Sequence, residues 1–217
     1  MDNNIQNTII SIVASPGKTA CTVNFSMSEP INCSMDIIMK YQLVKGKVVN
    51  DDVISEIIKS QRIVDSKRQS YSYTTKGLKT ARQIKDYLLK KGFGSDEIEE
   101  SIKFLKSYNL IDDKKFAAEF VRFYTKKKKA AASRVIIELM NRGISKHIAE
   151  EAVTEHYQFS GEPELARSAA EKKLRLVQGK PVEKQISAIK SHLQRKGFNW
   201  RLINETVKSL FKEDINY

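Results

Sequence analysis

The segment 84–93, Ile-Lys-Asp-Tyr-Leu-Leu-Lys-Lys-Gly-Phe, decides the fold because its pattern returns twice farther along the chain. It recurs at 135–144 and at 189–198, each time with an apolar residue four positions before a Leu and a Gly four positions after that Leu. Apolar residues at this spacing are typical of an amphipathic helix, and the Gly after basic residues is typical of a helix C-cap. The three glycines are 51 and 54 residues apart. The chain therefore contains an internal repeat of helical units.

Further helices follow each of these glycines. A second amphipathic helix is predicted in every copy from apolar positions at helical spacing. A third is predicted in the first two copies, introduced by Asp112-Asp113 and by Pro163-Glu164, which are typical residues of a helix start. We therefore expect a mainly α fold of tandem three-helix repeats, with the apolar stripes forming the core. The predicted repeats are 66–130, 131–180 and 181–217.

Residues 1–65 show a different pattern. A β-branched run at 9–13 is followed by the turn signal Pro16-Gly17, and residues 21–27 then alternate between apolar and polar side chains. Val48-Val49 is a candidate short strand, while Ser34 and Asn50 are candidate caps of two helices. This pattern predicts a small α+β N-terminal unit that contains a β-hairpin.

The chain carries no residue pattern that indicates catalysis or a cofactor. Gly17-Lys18-Thr19 is no phosphate-binding loop, because position 12 holds Ile where such a loop needs Gly, and a strand follows it. Two cysteines outside any Cys-x-x-Cys pair favour buried thiols over a disulfide framework or a zinc site. The three histidines lie on separate predicted helices with no Ser or Cys elbow nearby. We expect no enzyme, no cofactor and no metal.

The N-terminus has no basic segment followed by an apolar stretch, and no apolar run approaches the roughly 20 residues that a membrane helix needs. We expect neither a signal peptide nor a membrane span. The sequence therefore predicts a cytoplasmic protein.

The net charge of +12 is unevenly distributed. Residues 1–64 hold six basic and six acidic residues, so the whole excess lies in 65–217, with 32 basic and 20 acidic residues. A basic excess confined to one region favours a polyanionic partner, and nucleic acid is the usual one. A mixed basic and acidic helical surface that is simply solvated is the alternative.

The candidate binding residues for DNA or a filament are all basic, and they form three groups. The first is the run Lys126, Lys127, Lys128 and Lys129 with the nearby Arg122 and Arg134. The second is Lys76, Lys79, Arg82 and Lys85, spaced by three and expected on one face of the first repeat helix. The third comprises the bases near the cap glycines, which are Lys90, Lys91, Arg142, Arg195 and Lys196. A solvated helix end is the alternative for the first group, and the third group either lines one side of the array or only stabilises the helix dipoles. Tyr71 and Tyr73 are candidates either for stacking on bases or for packing within the repeat.

Three stretches together resemble the RecX recombination regulators. They are Leu-x-x-Lys-Gly-Phe at 88–93, Tyr-Asn-Leu-Ile-Asp-Asp-Lys-Lys-Phe-Ala at 108–117 and Arg-Val-x-x-Glu-Leu-x-x-Arg-Gly-Ile at 134–144. The resemblance spans about 70–211, and Lys-Tyr-x-Leu-x-Lys-Gly at 40–46 looks like the N-terminal extension of longer members.

The resemblance implies a monomeric, non-enzymatic protein that lies in the groove of a RecA filament on single-stranded DNA. Such a protein modulates filament assembly, ATP hydrolysis and strand exchange in homologous recombination, DNA repair and the SOS response, with double-stranded DNA as a further partner.

Two positions depart from the family pattern. Members typically carry Ser followed by acidic residues where this chain has Thr80-Ala81-Arg82-Gln83, and Gly where it has Ala131. Because Ala favours helix over Gly by about 1 kcal/mol, we expect a continuous helix through position 131.

Two other functions remain open. One is a helix-turn-helix-like transcriptional regulator, for which Asn199-Trp200-Arg201 is the candidate start of a recognition helix. The other is a purely protein-binding helical scaffold. DNA affinity with a steep salt dependence would distinguish a DNA-binding protein from the scaffold.

Overall fold

A computed structural model describes residues 7–14, 20–157 and 161–211. The strands are β1 (Asn7–Ala14), β2 (Ala20–Phe25), β3 (Ile31–Ser34) and β4 (Val48–Val49). The helices are α1 (Met35–Lys40), α2 (Asp51–Thr74), α3 (Ala81–Lys90), α4 (Ser95–Ser107), α5 (Asp113–Phe123), α6 (Ala132–Asn141), α7 (Lys146–Tyr157), α8 (Glu162–Arg175), α9 (Val182–Arg195) and α10 (Trp200–Leu210). The chain forms two compact units, one of residues 1–77 and 84–110 and the other of residues 78–83 and 111–217. The prediction of a mainly α fold after a small α+β segment is confirmed.

The N-terminal sheet is antiparallel with strand order β3-β2-β1-β4. Alternation along β2 buries Cys21, Val23 and Phe25 on one face, where Ile54 and Ile57 of α2 complete the core. The predicted hairpin of β1 and β2 is confirmed, while its turn signal at 16–17 lies outside the described residues.

The two candidate caps in this segment differ. The Asn50 side chain accepts a hydrogen bond from the Val53 N–H at 2.9 Å and so caps α2 as predicted. Ser34 stands at the N-cap position of α1 as predicted, but its side chain makes no cap hydrogen bond. Its backbone N–H donates to Gln61 Oε1 at 2.7 Å, and its buried Oγ has no hydrogen-bond partner among the described residues.

Helix α2 is longer than the sequence pattern indicated. Its first half packs against the sheet, and in its second half the Ser66 hydroxyl lies 2.6 Å from the Ser101 hydroxyl of α4. The Tyr87 hydroxyl of α3 donates to Gln69 Oε1 at 3.1 Å, so α2, α3 and α4 contact one another. The expected domain end at residue 65 therefore falls inside α2. That 1–65 and the three repeat segments fold as separate domains stays a prediction.

The three repeated glycines end their helices as predicted. Gly92, Gly143 and Gly197 have φ of 82°, 86° and 86°, in the left-handed region that glycine favours. At each glycine, the N–H of the following residue donates to the carbonyl of the repeated Leu in the same copy, as in Phe93 N–H to the Leu88 carbonyl at 3.2 Å. This backward bond is the Schellman arrangement, which satisfies carbonyls at the helix end.

Two buried clusters organise the second unit. One joins α5, α6 and α7 through residues such as Phe116, Val135 and Val153, and the other joins α8, α9 and α10 through Leu165 and Leu193. The predicted repeat bounds place α5 and α8 at the end of the preceding repeat. Packing instead groups each of them with the two helices that follow, because the apolar stripes of α5 and α8 bury against those helices.

The expected continuous helix through position 131 is wrong. Ala131 is extended, with φ −72° and ψ 157°, and α6 begins after it. Its N–H donates to the Lys196 carbonyl at 2.9 Å, and the Tyr157 hydroxyl donates to the neighbouring Ala130 carbonyl at 2.7 Å. Two such bonds at about 1 kcal/mol each outweigh a single-residue helix preference of about 1 kcal/mol.

Two equivalent contacts recur within the second unit. The Thr80 hydroxyl donates to the Arg142 carbonyl at 2.7 Å, and the Ser133 hydroxyl donates to the Gly197 carbonyl at 2.8 Å. Each contact joins the start of a helix to the glycine cap of another helix. The Thr80 hydroxyl also accepts from the Gln83 N–H at 3.1 Å, so Thr80 serves as the cap despite its departure from the family pattern.

Candidate nucleic-acid interface

The lysine run begins in a π-helical turn, Tyr124–Lys128, that follows directly on α5. The Thr125 hydroxyl donates to the Val121 carbonyl at 2.5 Å, and Lys129 ends the turn in the left-handed region with φ 50°. Left-handed backbone is strained for any residue other than glycine, so surrounding contacts must hold the turn in place. Single π-helical turns occur frequently at functional sites.

Lys196 contacts both this turn and the start of the segment that follows it. Its ammonium donates to the Lys128 carbonyl, and its own carbonyl accepts from the Ala131 N–H. Lys196 was predicted as a binding residue, and its half-buried side chain connects the end of α9 to the lysine run. The C-terminal end of α9 and the π-helical turn are therefore fixed against each other.

A cleft of about 480 Å³ opens between the lysine run and helices α8 and α9. We call it the basic cleft. Its polar and charged lining residues are Lys126, Lys127, Lys128, Lys129, Ser168, Glu171, Lys172, Lys173, Arg175, His192 and Lys196. Leu176, which is 73% exposed, adds an apolar surface.

Charge in the basic cleft is unbalanced. Eight cationic side chains line it together with one carboxylate, Glu171, which already pairs with Arg167 at 3.0 Å. Among the described residues, none of these eight cations forms an ion pair. Mutual repulsion of clustered cations is relieved when an anion binds between them. The cleft therefore carries an excess of positive charge that its own carboxylate does not balance.

Burial and crowding change the ionisation of two cleft residues. Burial, followed by the charges of Lys172 and Lys128, holds the pKa of Lys196 below its usual value. Burial likewise lowers the pKa of His192, and four neighbouring cations lower it further. Both shifts disfavour additional positive charge in the empty cleft.

Several other predicted binding residues already have acidic partners. Arg122 pairs with Glu119 at 3.0 Å, and both Arg134 and Arg142 pair with Glu138 at 2.7 Å. The guanidinium of Arg142 also lies 4.6 Å from the centre of the Phe120 ring. The hydrogen bond from Arg142, together with the charges of both arginines, lowers the pKa of Glu138. These three arginines are partly neutralised.

The second predicted group does not form a helical face. Helix α3 begins at Ala81, so Lys76 and Lys79 precede it, and only Arg82 and Lys85 lie on the helix. The expectation failed because the helix starts at the Thr80 cap and not before it.

The remaining predicted bases lie beside the cap glycines. The Lys91 ammonium is 5.8 Å from the centre of the Tyr87 ring, whereas Lys90 and Arg195 are exposed. Tyr73 stacks on Tyr87 at 4.2 Å, which favours the packing role for that tyrosine.

Sequence reasoning missed one wall of the basic cleft. Lys172, Lys173 and Arg175 occupy the last turn of α8, and His192 lies on α9. Basic residues in a last turn are expected from the helix dipole alone, so they gave no separate signal. Only the packing of α8 on α9 brings them to the lysine run.

Two other kinds of site are absent from the residues that the structure describes. No group of three or more His, Cys, Asp or Glu side chains in residues 7–14, 20–157 and 161–211 is placed to hold a metal ion. Within the same ranges, no helix combines the length and apolar character required to cross a membrane. Cys21 and Cys33 are both buried free thiols, and burial raises the pKa of Cys33 to about 11.

Comparison with known proteins identifies the family. Residues 161–207, which contain α8, α9 and most of α10, match the family model "RecX, third three-helix domain". The regulatory protein RecX of Clostridium botulinum (strain Eklund 17B / Type B) is 30% identical over 188 residues, covering 85% of this chain and 84% of that protein. The chain belongs to the RecX family. The regulatory protein RecX of Clostridium acetobutylicum is 28% identical over 214 residues, covering 96% of this chain and 99% of that protein.

Solved structures of RecX proteins agree with the fold. A crystal structure of regulatory protein RecX aligns with a TM-score of 0.72 at 20% identity, covering 95% of this chain and 99% of the other. RecX from Lactobacillus salivarius aligns with a TM-score of 0.60 at 25% identity, covering 70% of this chain and 97% of the other. The relatives carry the name of regulatory proteins and not of enzymes. The RecX-family match to 161–207 also agrees with the grouping of α8 with α9 and α10.

Proposed function

We propose that this RecX-family chain regulates a RecA-type recombinase by binding its filament on single-stranded DNA. Binding modulates filament assembly, ATP hydrolysis and strand exchange, and the chain acts as a cytoplasmic monomer without a catalytic site or cofactor of its own. Double-stranded DNA is a further polyanion that the same basic surface would bind. Family membership supports the choice of partner.

The basic cleft is the observation that carries this proposal. A recombinase filament on DNA presents closely spaced phosphates, and a protein that neutralises them with Lys and Arg releases condensed counterions. Eight cleft cations without acidic partners among the described residues fit that chemistry. The paired Arg122, Arg134 and Arg142 would contribute less, because each would first lose its contact with a carboxylate.

The alternative of a helix-turn-helix recognition helix has less support. The Asn199 side chain caps α10 by accepting from the Leu202 N–H at 2.8 Å, and Arg201 pairs with Glu205 at 2.9 Å. Both base-reading candidates are therefore engaged within their own helix. In the part of the chain that the structure describes, by contrast, no carboxylate pairs with any of the eight cations of the cleft.

A charge-matched pair of variants tests the proposal. Changing Lys126–Lys129 to Ala removes four cations from the cleft, whereas changing the exposed Lys114, Lys115, Lys146 and Lys208 removes four outside it. Each lost phosphate contact should lower the slope of log K against log salt by about 0.7 on single-stranded DNA. We expect a smaller slope and weaker binding only in the cleft variant, measured by fluorescence anisotropy at several salt concentrations.

Both variants should remain folded, since exposed charges usually contribute less than about 0.5 kcal/mol to stability. Lys129 is left-handed, but Ala carries the same backbone strain as Lys there, so the substitution is neutral on that account. Equal slopes in the wild-type protein and the cleft variant would mean that the lysine run is a solvated helix end.

A further inference from the structure

His192 lies in a purely cationic part of the basic cleft. Lys196 and Arg195 on the same helix and Lys172 and Lys173 on α8 all lower its pKa, after the larger effect of burial. Across the cleft, the lysine run adds Lys128, which acts on Lys196. The one carboxylate of the cleft, Glu171, is paired with Arg167 outside the cleft lining. Burial and these cations therefore lower the pKa of His192 and favour its uncharged form.

We propose that the basic cleft binds the phosphodiester backbone of a single nucleic-acid strand with His192 protonated, so that binding the strand takes up a proton. The proposal rests on the proposed function and names the ligand and its proton linkage at the same site.

The linkage follows from the charges that surround the imidazole. A phosphate in the cleft neutralises the lysines that oppose protonation, and it offers His192 an acceptor for a charge-assisted hydrogen bond. The same anion therefore raises the proton affinity that the empty cleft suppresses. By reciprocity, protonation of His192 must strengthen binding of the anion.

Two features of the cleft favour a nucleic-acid strand over an acidic protein surface. Its cations stand on two walls, the lysine run and the last turn of α8, which suits an anion that carries a row of charges, one on each nucleotide. The exposed Leu176 lies among these cations and offers an apolar contact to a base or sugar. Protein carboxylates supply no such regular row of charge beside apolar rings.

The test uses the full chain and an oligothymidylate with a 5′-hydroxyl end. Phosphodiesters and thymine keep a constant charge between pH 6 and 8, so any proton taken up in that range belongs to the protein. We would measure affinity by anisotropy at pH 6, 7 and 8 at one ionic strength. Calorimetry in two buffers of different ionisation enthalpy would count the protons taken up.

Wild-type affinity should rise as pH falls, by at most about tenfold per pH unit for one linked proton. The His192→Gln variant has no imidazole to protonate, so its affinity should no longer rise as pH falls from 8 to 6. The His192→Lys variant, with a permanent charge, should bind at pH 8 as tightly as the wild type at pH 6. The His147→Gln variant removes an exposed imidazole outside the cleft and should keep the wild-type dependence.

Wild-type affinity without pH dependence, or a His192→Gln variant that keeps it, would overturn the inference while the proposed function stands. The protein could instead fail to bind the oligonucleotide and take up a proton when it binds recombinase that is free of DNA. That result would show that the ligand of the cleft is an acidic protein surface and not a nucleic-acid strand. Conversely, a wild-type protein without effect on recombinase ATP hydrolysis would refute the proposed function. Proton-linked oligonucleotide binding would in that case still support the cleft assignment.

Discussion

Replacing each of the three cap glycines by Ala places the same added Cβ in open space at one position and against a neighbouring side chain at the other two. Each has φ between 82° and 86°, so Ala at any of them should cost about 1–2 kcal/mol of backbone strain. At Gly92 an added Cβ would meet nothing within 4 Å. At Gly197 it would lie 2.7 Å from Arg134 Cβ, and at Gly143 it would overlap the side chain of Arg82 from Cβ onward.

These overlaps add a second cost at two of the three positions. A Cβ is fixed to the backbone and cannot rotate away, so the start of the neighbouring helix must shift. Overpacking of this kind costs typically about 1–3 kcal/mol. We therefore expect a loss of about 1–2 kcal/mol for Gly92→Ala and about 2–5 kcal/mol for Gly143→Ala and Gly197→Ala.

Urea denaturation followed by circular dichroism measures these differences as shifts of the unfolding midpoint. Gly92→Ala is the internal control, because it has the same backbone conformation without the close approach. Equal losses at all three positions would refute the reasoning that Gly143 and Gly197 also serve as contact points for helix starts. No loss at any position would refute the left-handed caps themselves.

Two further substitutions test contacts near the site. Tyr157→Phe removes the hydrogen bond to the Ala130 carbonyl and should lower the free energy of unfolding by about 1 kcal/mol, measured by urea denaturation, with oligonucleotide affinity also falling if the contact holds the lysine run. An unchanged midpoint would show that this bond contributes nothing. Glu138→Gln should lower stability by up to about 1 kcal/mol at pH 7. Because the arginines lower the pKa of Glu138, its stabilisation is present above the unfolded-state pKa of about 4.3 and is lost as pH falls through the lower folded value. The difference between the two proteins should therefore shrink at pH 3, and an equal difference at both pH values would exclude this ion-pair contribution.

Local signals in the sequence predicted the elements of the fold well. The glycine caps, the Asn50 cap and the β1–β2 hairpin follow from short-range chemistry that each segment carries by itself. The sequence did not predict which helices pack together as one three-helix group. Every helix of the array has an apolar stripe, so periodicity cannot tell whether α5 packs with its predecessors or with its successors.

The sequence predicted only some of the residues of the basic cleft. The lysine run is visible in the sequence, yet its partners at 172–175 and His192 come from helices about 45 to 65 residues farther along the chain. The ion pairs of Arg134 and Arg142 with Glu138 do have a sequence signal, since both arginines stand four residues from Glu138 along the chain. The turn at Ala131 shows tertiary hydrogen bonds overriding a local helix preference.

Hydrolysis of ATP by the cognate recombinase on single-stranded DNA tests the central claim most directly. Measured against added protein, the wild type and the control variant at Lys114, Lys115, Lys146 and Lys208 should change the rate in the same way. The Lys126–Lys129 variant should need a higher concentration for the same effect. A recombinase rate that stays unchanged with saturating wild-type protein would contradict the assignment of this RecX-family chain as a regulator of the filament.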